Sequence, residues 1–258
     1  MENARIRPRF ELTDRVAIVT GSSKGIGEAM ARGLAEFGAK VIVSSRNQAS
    51  VDAVAAAYRA DGLEATGIAC HVADADDRGR LIEKTLATYG RLDILINNAA
   101  TNPYFGPVEG LTPDAYHKTL DVNLTAALEL SSLALPHLRK SGHGSVIHIS
   151  SIEGLHANPN FAAYNISKAG LIMLGKSQAR EWASENIRVN VICPGLVKTK
   201  LSRALWENEQ LAQQFTNMIP LNRMATPDEI AGLAVWLASD AASYVTGGTF
   251  VADGGMLG

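Results

Sequence analysis

Short apolar runs rich in β-branched residues recur along this chain, each separated from the next by a stretch of helical periodicity. Few folds accommodate that alternation. The runs RVAIVT (15–20), KVIVS (40–44), EATGIAC (64–70), LDILIN (92–97), GSVIHIS (144–150), IRVNVIC (187–193) and GTFVAD (248–253) read as strands. Residues 27–38, 50–62 and 78–90 carry apolar side chains three and four apart and end on glycine, the marks of amphipathic helices. Longer helical patterns cover 112–140 and 161–183. Runs such as AIV and ILI lack polar alternation, as strands covered on both faces require. The pattern predicts an α/β chain with a doubly wound, seven-stranded parallel sheet and helices on both faces. No linker, repeat or low-complexity stretch interrupts it. Residues 1–258 are therefore expected to form a single domain, with 1–12 as an N-terminal arm.

Charge and composition narrow the class of partner. The formal net charge is -2, which gives no basic surface for nucleic acid or an anionic membrane. No apolar run approaches the ~18 residues needed to span a bilayer. The opening MENARIRPRFELTDR lacks the apolar core of a secretory signal, and the terminal GMLG matches no targeting tripeptide. Cys70 and Cys193 supply neither a disulfide framework nor a metal-ligand set, and His143 and His148 lie in a turn and a strand. The expectation is a cytoplasmic protein without a metal site, acting on a small molecule.

Directly after the first strand comes TGSSKGIGEAMARGLAEFG. Gly21, Gly25 and Gly27 permit a tight turn and close backbone approach, with Ser23, Lys24 and Ile26 between them. The helix that follows directs its N-terminal amides at this turn, which suits a phosphate. The spacing G-x-x-x-G-x-G differs from the common dinucleotide fingerprint but sits where that fingerprint belongs. An NAD site would place an acid at the tip of the second strand to grip the ribose 2′-hydroxyl. Ser45, Arg46 and Asn47 stand there instead. With Lys24 they favour a 2′-phosphate, so NADP(H) is the expected cofactor.

A second constellation follows the fifth strand. Ser151 lies at its C-terminal end, where doubly wound sheets place ligands. Thirteen residues on, AAYNISKAG sets Tyr164 and Lys168 four apart, on one face of a helix. Such a pair alone is commonly a packed ring and a solvated amine. Asn123, in TLDVNLTAAL, is a polar residue among apolar helical neighbours.

Taken together, TGSSKGIG, NNAA (97–100), Asn123, Ser151, YNISK and CPG (193–195) resemble the short-chain dehydrogenase/reductase family, over residues 13–255. The ordered spacing, 28 residues from Asn123 to Ser151 and 13 from Ser151 to Tyr164, is what makes the resemblance specific. It implies a Rossmann fold and hydride transfer with Tyr164 as general acid/base. A free phenol, pKa about 10, exchanges protons poorly near neutrality. A cation at ~4 Å in an effective dielectric of ~20 offers about 4 kcal/mol, enough to lower that pKa by ~2–3 units. Lys168 is expected to do so. The resemblance further implies that Lys168 binds the nicotinamide ribose, Ser151 holds the substrate oxygen, and Asn123 keeps a relay water. It places Asn98, Ala99 and Ala100 beside the cofactor, Ala100 standing where glycine is commoner. Pro194, Gly195, Val197 and Thr199 would hold the carboxamide. Val72 would hold the adenine, with His71 where many members have aspartate.

Tyr104, Phe105, Glu153, Phe161, Leu201, Leu205 and Trp206 are the candidate substrate-pocket residues. VSSRN, CHVAD, NAATNPYFG and PGLVKTKLSRALW resemble the NADPH-dependent carbonyl reductase branch typified by animal peroxisomal dehydrogenase/reductases. Ketone or aldehyde reduction, reversible as secondary alcohol oxidation, is therefore expected. A 3-oxoacyl-thioester reductase and a non-catalytic dinucleotide sensor are the alternatives. By the same resemblance the two long helices pair between subunits in a homotetramer.

Overall fold

The computed structural model describes residues 5–200 and 202–258. Seven strands form one parallel sheet: β1 (Val16–Thr20), β2 (Lys40–Ser45), β3 (Ala65–Ala69), β4 (Ile94–Asn97), β5 (Ser145–Ile149), β6 (Arg188–Pro194) and β7 (Thr249–Ala252). Their spatial order is β3-β2-β1-β4-β5-β6-β7. The order reverses between β1 and β4, which opens the crevice where such sheets bind ligands. Helices α1 (Gly25–Glu36), α2 (Gln48–Ala60), α3 (Ala75–Tyr89), α4 (Pro113–Leu120), α5 (Ala126–Ser141) and α6 (Ala162–Trp182) connect the first six strands.

Alternate strand residues feed opposite cores, as the period of two dictates. Val19, Val43 and Ile96 pack with Met30, Leu34 and Ile230 on one face. Ile18, Ile42 and Leu95 pack with Leu81, Leu130 and Trp182 on the other. Both layers are dry, which is why these strands show no polar alternation.

The differences from the sequence reading have local causes. Helices α1 to α3 begin two to three residues early, and for α2 and α3 the caps lie upstream of the apolar pattern: Asn47 accepts from the Ser50 amide and Asp74 from that of Asp77. The pattern over 112–140 is not one α-helix. A π-turn, Asp121–Thr125, separates α4 from α5. Between β6 and β7, which the sequence reading left unassigned, lie α7 (Arg203–Trp206), α8 (Glu209–Asn217) and α9 (Asp228–Ala238). Described residues of the arm pack on the fold. Arg9 donates to the Asp240 carbonyl and the Ser243 hydroxyl, both at 2.7 Å, and Leu12 is fully buried.

Candidate active site

The glycine turn between β1 and α1 is a cradle shaped by contacts from β4. A Cβ on Gly27 would stand 2.4 Å from Asn98 Nδ2 and 2.6 Å from the Gly21 carbonyl oxygen, so only glycine fits. Gly21 and Gly25 adopt φ of +67° and +64°, which side chains rarely tolerate. Asn98 Nδ2 donates to the Thr20 carbonyl at 2.8 Å, while Thr20 Oγ1 accepts the amides of Asn98 and Ala99. Ser22 ties the turn to β2: its amide donates to the Ser44 carbonyl, and its Oγ accepts the Ser44 amide. Thr20 and Ser22 lie within the TGSSKGIG motif, but the motif does not reveal what they do. They act through hydrogen bonds that only the folded sheet brings together.

Ser45, Arg46 and Asn47 leave β2 beside this turn, with no acid among them. Lys24 and Arg46 are exposed, and neither pairs with a carboxylate among the described residues. Asn47 is committed to capping α2, its Oδ1 accepting from Ser50. Val72 is buried, and the His71 amide donates to Asp77. Across the crevice, the methyl of Thr199 lies 3.4 Å from the position of a Gly25 Cβ. Gly195 donates to Ala252, and Val197 bridges to Ala225, which fixes the turn after β6. A cradle that excludes side chains, a helix N-terminus and two unpaired cations fit a dinucleotide with its phosphates.

Ser151, Tyr164 and Lys168 converge at the C-terminal end of β5. Ser151 is 9% exposed, and its hydroxyl acts on the Tyr164 phenol to favour the phenolate. The neighbouring Ser150 instead donates to the Lys168 carbonyl at 2.8 Å, a structural clip. Tyr164 and Lys168 occupy successive turns of α6, with Lys168 Nζ 5.5 Å from the phenol ring centroid. Lys168 is 2% exposed and donates to the Ile149 carbonyl at 2.7 Å. An ammonium has three donors, so two remain to meet hydroxyls such as those of a ribose. Gly154 lets the Ser151 loop lie on α6, since a Cβ there would meet the Lys168 carbonyl carbon at 2.7 Å.

Asn123 serves as a brace. Its Nδ2 donates to the Thr101 carbonyl and to Ser167 Oγ, each at 3.0 Å, while its Oδ1 accepts the Thr101 amide. Ser167 in turn donates to the Tyr164 carbonyl. Both amide N–H groups are thus spent on protein, and the side chain positions α6 and the loop after β4.

One expectation is corrected. Tyr164 is pushed up to about 12, by burial first, with the Ser151 hydrogen bond acting against it and Glu153 and Cys193 adding to it. Burial also depresses Lys168 itself, to about 8. Removing both groups from water disfavours their charged forms. That penalty outweighs the attraction computed from sequence spacing. The phenol is consequently protonated at neutral pH.

An aromatic strip leads to the phenol. Phe105 meets Phe161 edge-on at 4.9 Å, and Phe161 lies 6.3 Å from Tyr164. Glu153 also faces this corner: its amide donates to Ser151 Oγ, and its Oε1 accepts from Asn158. Two other pocket candidates are occupied elsewhere. Tyr104 donates its hydroxyl to Pro107 in its own loop, and the Trp206 indole N–H is bound to the Thr199 carbonyl. Leu201 lies outside the described residues, as does the side chain of Leu205. Beneath the site, Asn97, His148 and Gln178 form a buried chain that sequence reasoning missed. Burial holds His148 down at about 4.

Residues 21–257 match the family model described as "Enoyl-(Acyl carrier protein) reductase". The chain is 42% identical over 255 residues to dehydrogenase/reductase SDR family member 4 of Oryctolagus cuniculus, covering 99% of this chain and 98% of that protein. The human protein of the same name is equally similar, with 92% of it covered. Among solved structures, a gluconate 5-dehydrogenase from Burkholderia cenocepacia in complex with NADP and tartrate aligns with a TM-score of 0.94 at 34% identity, covering 98% of this chain and 99% of that one. A short-chain type dehydrogenase/reductase from Mycobacterium marinum aligns with a TM-score of 0.92 at 31% identity, with 98% and 99% covered. Fold, cradle and the Ser–Tyr–Lys group agree with these likenesses over nearly the whole chain: it belongs to the short-chain dehydrogenase/reductase family of NAD(P)-dependent oxidoreductases.

Proposed function

We propose that the chain is an NADPH-dependent carbonyl reductase acting on ketones and aldehydes, and that it runs in reverse as a secondary alcohol dehydrogenase. The observation that carries this reading is the convergence of Ser151, a protonated Tyr164 and a buried Lys168 beside the glycine cradle. NADPH supplies the hydride when bound. Ser151 and Tyr164 hold the carbonyl oxygen between two hydroxyl donors, polarising it as an oxyanion hole does. Tyr164 then delivers its proton to that oxygen. Lys168 gives its spare N–H donors to the ribose, and its charge stabilises the phenolate left behind. Phe161, with Phe105 edge-on against it, favours an apolar substituent. Lys24 and Arg46, together with the missing acid at the tip of β2, support NADP(H) over NAD(H).

The same reading includes a cytoplasmic homotetramer. The tetramer is supported by apolar side chains left exposed on α5 and α6: Leu128, Leu133, Ile166 and Met173 are 42–61% exposed. Wild-type protein with NADPH and a panel of ketones should consume NADPH, followed by absorbance. Tyr164→Phe should lower kcat by about 10²–10⁴-fold, the usual weight of a general acid, while cofactor affinity stays near wild type. A Tyr164→Phe enzyme with near-normal kcat excludes the mechanism.

A further inference from the structure

The Glu153 carboxylate is only half accounted for. Its Oε1 accepts from Asn158 Nδ2 at 2.6 Å, whereas its Oε2 is buried with no hydrogen-bond partner among the described residues. The group is held in place. Its amide donates to Ser151 Oγ at 3.1 Å, Gly154 beside it packs on the Lys168 backbone, and Asn158 is tied by its carbonyl to Asn165 Nδ2. The carboxylate therefore has no easy rotation into water. Its negative charge also acts on the Tyr164 phenol. A buried acceptor without a donor is unfavourable unless a ligand supplies one.

We propose that Glu153 determines substrate specificity, its Oε2 accepting the hydroxyl of a substrate with an alcohol on the carbon next to the reacting carbonyl. The preferred substrate class is then the α-hydroxyketones, an inference that rests on the carbonyl-reductase reading. Ser151 and Tyr164 fix the carbonyl oxygen, and Glu153 lies two residues past Ser151, so it meets the neighbouring substituent. The donor is a neutral hydroxyl. A carboxylate there would face Glu153, and an ammonium would bring a second positive charge toward buried Lys168. Phe105 and Phe161 receive the remaining apolar substituent.

Three phenyl ketones of closely similar shape test this with NADPH: 2-hydroxyacetophenone, propiophenone and benzoylformate. Wild type should show kcat/KM at least about tenfold higher for the hydroxyketone than for propiophenone, as a charge-assisted hydrogen bond allows. Benzoylformate should be the poorest. Glu153→Met should bring the first ratio close to unity. Glu153→Gln should raise benzoylformate by about tenfold or more, through loss of like-charge repulsion. A purely structural Glu153 would lower all three together and leave the ratios unchanged, which overturns the proposal. So does a wild-type preference below about threefold. If none of the ketones is reduced, the carbonyl-reductase reading fails. Calorimetry with NADP+ then still decides Glu153: 1-phenylethane-1,2-diol must bind more tightly than 1-phenylpropan-1-ol, and Glu153→Met must erase the difference. Equal binding refutes the assignment.

Discussion

Raising the pH above 8 should weaken NADPH binding well before the protein unfolds. Lys168 is buried, bonded to the Ile149 carbonyl and held at about 8. Against its ordinary 10.5, the ammonium is disfavoured by about 3 kcal/mol. If the cofactor requires the charged form, the apparent Kd scales as one plus ten to the power of pH minus pKa. Binding is then nearly flat below pH 8, roughly tenfold weaker at about pH 9, and roughly thirtyfold weaker at about pH 9.5. Tyr164, at about 12, stays silent across this window. Phosphate monoesters have their second pKa near 6 and are silent across this window too.

Unfolding does not explain such a loss. A lysine whose folded pKa is depressed releases its proton in the folded state while the unfolded chain still holds it. From pH 8 to 10.5 this group therefore adds stability as pH rises. NADPH fluorescence titrations at pH 7, 8, 9 and 9.5 measure the slope. Lys168→Met should bind weakly and without pH dependence. A wild-type Kd that is flat to about pH 9.5, or a slope that survives in Lys168→Met, refutes the reasoning.

Arg46→Asp should lower kcat/KM for NADPH by about 10- to 100-fold, the range of a lost charge-assisted contact, and shift the preference toward NADH. An unchanged NADPH/NADH ratio removes Arg46 from the phosphate site. Light scattering at micromolar concentration should return about four times the 27.4 kDa chain mass. A monomer-sized peak rejects the tetramer.

The reacting groups were legible because helical spacing alone sets Tyr164 and Lys168 on one face, and because a strand end is a fixed place in this fold. Their acidities were not. Spacing gives the distance between two charges, whereas burial depth depends on Gly154, Ile149 and the packing above β5. The brace role of Asn123 was hidden for a similar reason. A π-turn and two hydrogen bonds to Thr101, distant in sequence, define it. The glycine pattern announced the phosphate turn, yet Thr20 and Ser22 hold it through hydroxyl contacts to β4 and β2 that only the folded sheet brings together. The buried His148 looked like an ordinary strand residue, since its partners Asn97 and Gln178 come from two other elements.

The link from Asn98 to Thr20 and Gly21 spans 77 to 78 positions of chain. The cofactor cradle is therefore not a property of the first βαβ unit, although all its glycines lie there. Its shape arises only once β4 has docked beside β1, closing a long loop whose entropy must first be overcome. Competence to hold a dinucleotide thus depends on the β1–β4 pairing as well as on the glycine turn. An N-terminal fragment ending before β4 would carry the whole glycine pattern without the grip.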